Sequence, residues 1–222
     1  MECETSSTDR ILLSAGGIAG LLFCGISTYE ALTRPGFDIS RHAISMLSLG
    51  KGGWVMAANF IVSGLLTLLC AMGLKRILAA GGEGRWLPIL IGFYGLGLVL
   101  AGIFPAPASF GFPPGTPDNQ APVMIPSAIV HSIAFMLAFT ALTIACFTAA
   151  RLLKGRGSAP SLIAGISMPL LVALGMANVI AAGIAFFIAA VIGWAWLAII
   201  VMQLAGAQSA PASAQACAQA QG

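Results

Sequence analysis

Residues 86–104 read WLPILIGFYGLGLVLAGIF, an unbroken run without one charged side chain. About 20 mostly apolar residues in a helix cross the ~30 Å of hydrocarbon in a bilayer, so this run predicts a membrane span. Five more segments read the same way: 11–31, 54–74, 128–150, 161–181 and 184–204. The last two are parted only by a weak break near Ala181-Gly183. Composition agrees, with 59% hydrophobic and 8% charged residues and a mean hydropathy of +0.97. Soluble domains carry roughly 25% charged residues. The expected fold is all-α: a polytopic membrane protein with a six-transmembrane-helix bundle over 11–204, an N-terminal tail over 1–10 and a disordered Ala/Gln/Ser-rich tail over 205–222.

Charge asymmetry predicts orientation. Arg10, Lys75, Arg76, Arg85, Arg151, Lys154 and Arg156 fall on the side of the termini, and Arg34, Arg41 and Lys51 on the other. Basic residues in short loops favour the cytoplasmic side. Both termini are therefore expected in the cytoplasm of a bacterial inner membrane. Accessibility of thiols placed near Lys51 and Pro114 from outside the cell tests this. The leader lacks a basic n-region and runs into a full-length span, so no cleavable signal peptide is expected. The basic residues form no run, which argues against nucleic acid as a partner. Cys3 and Cys217 fall in tails and Cys24, Cys70 and Cys146 in spans, so no structural disulfide is expected. Membrane lipids are the implied partners, with a small-molecule or lipid ligand and a homo-oligomer as further possibilities. No cofactor is indicated.

Within the spans, Asn59, Ser63 and Thr67 recur every fourth residue and give the second span a weakly polar stripe, suited to interhelical hydrogen bonds or a cavity lining. Asn178 is the other polar candidate within a span. Trp54 and Trp86 read as interfacial anchors. Trp194 and Trp196, near mid-span, read as packing or lipid-facing groups.

Two loops carry the chemistry. In the first, Pro35-Gly36 breaks the helix, and Asp38-Ile39-Ser40-Arg41-His42-Ala43-Ile44-Ser45-Met46-Leu47 follows. At about 100° per residue Asp38, Arg41, His42 and Ser45 share one arc, which predicts a short amphipathic helix capped by Asp38. Such a helix either floats at the interface or closes over the bundle as a lid. Glu30 lies one helical turn before Arg34 and is expected to pair with it. The second loop, read from Phe104 to Pro126 inclusive, holds seven prolines, which restrict it to extended and turn conformations. It leads into Ser127 and His131.

Both histidines thus fall on one side, with Glu30, Asp38 and Asp118. Glu30, Arg34, Asp38, Arg41, His42, Ser45, Asp118 and His131 are the ligand-binding candidates. His131, His42 and Ser45 are the candidates for catalysis, since a histidine near a serine can act as its base. The carboxylates and histidines are also potential metal ligands. Walker, H-E-x-x-H, G-x-S-x-G and Rossmann patterns are absent.

The strings R-P-G-F-D-I-S-R-H-A-I-S-M-L-S-L-G-K-G-G-W, A-N-F-I-V-S-G-L-L, G-L-G-L-V-L-A-G-I-F-P and G-F-P-P-G-T-P, with the later histidine, are similar to an uncharacterised bacterial membrane-protein family, domain of unknown function 998. The resemblance runs from about Ile11 to Leu204 and implies a six-helix bundle with its signature residues on the outer face. Members often carry an Asp-Pro pair before the G-F-P-P-G string; here the stretch is Pro105-Ala106-Pro107-Ala108. The reading is an integral membrane protein that handles a lipid or small ligand in an outward-facing polar pocket, or serves an accessory role. Its rivals are an outer-face metal- or Ser/His-dependent hydrolase and a small transporter.

Overall fold

The structure is a computed structural model, and it describes residues 6–78, 84–153, 155 and 158–208. Six helices follow one another: α1 Ser7–Thr33, α2 Trp54–Leu78, α3 Trp86–Ile103, α4 Pro126–Leu152, α5 Ser158–Met176 and α6 Ala182–Gln208. All six are long and apolar enough to cross a membrane. The protein is a six-helix membrane bundle. Cys3, Glu83, Lys154, Arg156, Cys217 and the tail from residue 209 lie outside the described residues.

Local sequence sets the starts of two helices. Ser6 caps α1, its hydroxyl accepting from the Thr8 amide at 3.2 Å. Pro126 opens α4, where its missing N–H is no loss. The fifth and sixth spans are parted by a turn over 177–181, earlier than the break at 181–183 expected from sequence. Asn178 sits in that turn with φ 55°, so it is a turn residue and not a polar group within a span.

Each helix packs on its neighbours in sequence, and α6 returns to α1, closing a ring. Outward side chains such as Leu21, Leu32, Ile133, Ile163 and Met202 are exposed, as a lipid-facing surface requires. Inward ones, among them Phe23, Tyr94, Leu142, Met168, Trp194 and Trp196, are buried. Both mid-span tryptophans are therefore packing groups. Trp196 Nε1–H donates to the Ser161 hydroxyl at 3.0 Å and ties α6 to α5.

The polar stripe of α2 faces α1. The Asn59 amide donates to the Phe23 carbonyl at 3.2 Å, Ser63 to the Ala19 carbonyl at 3.4 Å, and Thr67 to the Ser63 carbonyl at 2.7 Å. Asn59 and Ser63 thus join α2 to α1, while Thr67 bonds back within α2, and each donor left unpaired would be costly in hydrocarbon.

The tightest crossing is between α2 and α3. A Cβ on Gly64 would lie 2.7 Å from the Gly95 carbonyl oxygen, and one on Gly95 would lie 2.9 Å from that of Gly64. Gly92, one turn earlier on α3, faces only Ala71 at 4.0 Å. Gly→Ala gains up to ~1 kcal/mol of helix propensity at either site, whereas overpacking costs about 1–3 kcal/mol. Gly95→Ala is therefore expected to lower the melting temperature in detergent and Gly92→Ala to hold or raise it. Equal shifts would show that the crossing yields.

Candidate functional site

The loops 34–53 and 104–125 share one end of the bundle, called here the loop end. Arg34 organises the first loop. Its guanidinium pairs with the Glu30 carboxylate and donates to the carbonyls of Lys51 at 2.6 Å and Gly52 at 2.9 Å. This is the i,i+4 pair expected from sequence, with both side chains 10% exposed. Partial burial lowers the pKa of Arg34, and the planar fork lets one residue close the ends of the loop together.

No α-helix forms over 38–47. Asp38 caps only a single turn: its carboxylate accepts from the Ser40 hydroxyl at 2.7 Å and the Ser40 amide at 2.8 Å. The chain is then extended at Ala43 and enters a short 3₁₀ helix, Ile44–Ser48. The reason is tertiary. A 3₁₀ helix brings residues i and i+3 into line, so Ile44 and Leu47 descend together into the core beside Met46. An α-helix would part Ile44 from Leu47 by about 60° and widen the arc of the three from about 120° to about 160°. The expected shared face of Asp38, Arg41, His42 and Ser45 is thereby divided.

His42 goes to the seam between the loops and is buried. The Asp38 amide donates to its Nδ1 at 2.9 Å, so Nε2 carries the proton and donates to the Phe110 carbonyl at 2.8 Å. The Phe37 and Phe112 rings flank it at centroid distances of 5.5 and 5.4 Å. Phe112 is wholly buried, whereas Phe110 is exposed. Arg41 stays exposed and donates to the Asp118 backbone carbonyl at 3.3 Å. The Pro-rich loop is folded back on itself, with Ser109 and Phe112 exchanging backbone hydrogen bonds and the Phe110 amide donating to the Gln120 carbonyl.

Beneath this seam lies a chamber of about 70 Å³ inside the ring of helices. Ala43, Ile44 and Ser45 form its roof, and its walls come from α1, α2, α3, α4 and α6. Phe23, Phe60, Phe135, Phe139 and Phe186 make it largely aromatic. Three polar side chains also line it: Ser45, Tyr94 and His131. The structure therefore brings Ser45 and His131 to one cavity and leaves Glu30 in the last turn of α1 and Arg34, Asp38, Arg41, His42 and Asp118 in the loops.

His131 is fixed by α3. Its Nδ1–H donates to the Phe104 carbonyl at 2.8 Å and the Ala101 carbonyl at 3.2 Å, carbonyls released where that helix ends. Its Nε2 has no hydrogen-bond partner among the described residues, nor do the hydroxyls of Ser45 and Tyr94. Sequence reasoning missed Tyr94, although a mid-span tyrosine, one of only two in the chain, was a usable signal. Among the described residues no three His, Cys, Asp or Glu side chains converge as a metal ion would require.

The loop end makes two testable demands. Breaking the Glu30–Arg34 pair by Glu30→Gln is expected to cost on the order of 3 kcal/mol, as for buried pairs. Asp9→Asn, which breaks the pair of Asp9 with the largely exposed Arg76, should cost about 0–1 kcal/mol. Similar melting temperatures for the two variants would mean that Glu30 is solvated. The Ser40 hydrogen bonds hold the Asp38 carboxyl below the usual carboxylate range. Its contribution is thus complete above the ordinary carboxylate pKa and lost as pH falls from there through the lowered pKa of the folded state. Asp38→Asn should flatten the acid limb of the melting curve, and an unchanged limb would dismiss the capped turn as a contributor.

The family model described as "Protein of unknown function (DUF998)" matches residues 17–203, from α1 into α6 and across both loops. No curated protein and no solved structure matched the chain. With the match spanning the chamber, its roof and the loop seam, the protein belongs to this family of integral membrane proteins.

Proposed function

We propose that the protein binds a small amphiphile, or the end of a lipid chain, in the chamber beneath Ala43–Ser45. One observation supports this above others: an aromatic chamber at the centre of the bundle holds a histidine acceptor without a partner. The chamber, about 70 Å³, is smaller than the roughly 150 Å³ of an apolar cavity that takes up benzene. It suits a few methylene groups carrying one hydrogen-bond donor for His131 Nε2. Longer ligands would have to lift the roof or pass between the half-buried Phe135, Phe139 and Phe186. This reading differs from the polar pocket expected from sequence, because most of the charged candidates lie in the loops. With both termini on the cytoplasmic side, the ligand would come from the outer leaflet.

A diazirine-bearing alkanol tests the reading. It is expected to label chamber residues in the wild-type protein, and Ala138→Leu, which fills the space, should cut labelling about tenfold, equivalent to ~1.4 kcal/mol. His131→Phe should abolish the preference for the alkanol over the matching alkane probe. Labelling spread evenly over lipid-facing residues would reject the chamber as a binding site.

The shared cavity of Ser45 and His131 favours a second reading, a hydrolase of lipid-soluble esters. His131 would accept the Ser45 proton at Nε2 while the Ala101 and Phe104 carbonyls orient its Nδ1–H. A fluorophosphonate probe should then modify Ser45 in the wild type and not in His131→Ala. An unmodified wild-type Ser45 removes the hydrolase and leaves the binding reading standing.

A further inference from the structure

A second cavity lies at the other end of the bundle and shares no lining residue with the chamber. There the seam between α2 and α3 opens into a groove of about 600 Å³. Its lining is apolar, with Leu68 and Met72 from α2 and Pro88 and Ile89 from α3, and its polar members are two cations, Lys75 and Arg85. Met72 and Ile89 are exposed, so the groove faces the lipid and not the bundle interior.

The two cations flank the groove, one on α2 and one just before α3. Lys75 stands on the face of α2 that carries Leu68 and Met72, at spacings of seven and three residues, and so at the same edge of the groove. Arg85 precedes α3, its guanidinium held 5.3 Å from the centre of the Trp86 ring. Neither forms a salt bridge among the described residues, whereas the adjacent Arg76 is taken by Asp9 at 3.2 Å. Two positive side chains at the mouth of an apolar groove, at the level where helices leave the membrane, complement a phosphate with an acyl chain attached.

We infer that this groove binds an anionic phospholipid, its acyl chain along Leu68, Met72 and Ile89 and its phosphate between Lys75 and Arg85. The occupant is a lipid and not a free anion, because an anion alone would leave the apolar length of the groove uncovered. A zwitterionic lipid would bring its own ammonium against the two cations. The inference does not depend on the chamber having a ligand.

The test is native mass spectrometry of the full chain in neutral detergent, titrated with phosphatidylglycerol or phosphatidylcholine. Phosphatidylglycerol should bind at one preferred site, and Lys75→Gln/Arg85→Gln should weaken it about tenfold or more, the scale of two basic groups at a membrane surface. Arg151→Gln, a basic residue at the same end but outside the groove, should change binding less than about twofold. Met72→Trp, which narrows the groove without altering charge, should also weaken binding. Equal affinity for phosphatidylcholine, an equal loss in Arg151→Gln, or no effect of Met72→Trp would overturn the proposal. Displacement of the lipid by millimolar inorganic phosphate would do so as well, by making the site one for a free anion. The altered side chains are exposed, and an unchanged melting temperature confirms that each variant is folded.

Discussion

The loop end depends on one buried ring. His42 accepts from the Asp38 amide and donates to the Phe110 carbonyl, so each nitrogen satisfies a backbone group in a different loop. Leaving either group buried and unpaired costs about 1–3 kcal/mol, and no smaller side chain spans both. Phe37 and Phe112 enclose the ring and exclude water from those bonds. The roof of the chamber follows immediately in the chain, so the placement of Ala43–Ser45 rests on how His42 is held.

The bundle meets this roof through a missing side chain. Gly183, in the first turn of α6, runs against the carbonyl oxygens of Ile39 and His42, and a Cβ there would overlap both. The sixth helix can thus rise directly under the first loop while α1 closes the ring at its side. Close approach of backbones at Gly64 and Gly95 does the same for α2 and α3. In lipid, where apolar side chains gain little by leaving one apolar medium for another, such contacts and the hydrogen bonds of Asn59 and Ser63 to α1 carbonyls hold helices together. The aromatic chamber is the space left where five helices converge beneath a roof too short to fill it.

Helix number and position were legible because a span must be long, apolar and internally hydrogen-bonded, three demands written locally in each segment. The Glu30–Arg34 pair was legible for the same reason, being a contact between residues one turn apart. The first loop was not. Its polar residues have helical spacing, but burial of Ile44, Met46 and Leu47 and the distant Phe110 carbonyl outweigh that local preference. Of the candidate site residues, His131 and Ser45 line the chamber and the others organise loops. The five phenylalanines of the walls could not be told from the remaining phenylalanines, since nothing in a single chain says which apolar side chains surround a space.

The chamber's chemistry follows from what is left unpaired. Three polar side chains among aromatic walls would ordinarily bond to one another or to backbone. Here His131 gives its proton to α3 carbonyls, which in the neutral ring leaves Nε2 as an acceptor with apolar surroundings. An acceptor in that setting discriminates strongly, because a guest without a donor leaves it desolvated and unpaired. Apolar walls alone would separate guests by only about 1–3 kcal/mol per methylene. On the binding reading proposed above, selection by one hydrogen bond in a space of about 70 Å³ would favour a guest that is mostly hydrocarbon. The opposite groove, with Lys75 and Arg85 beside apolar side chains, offers a different chemistry.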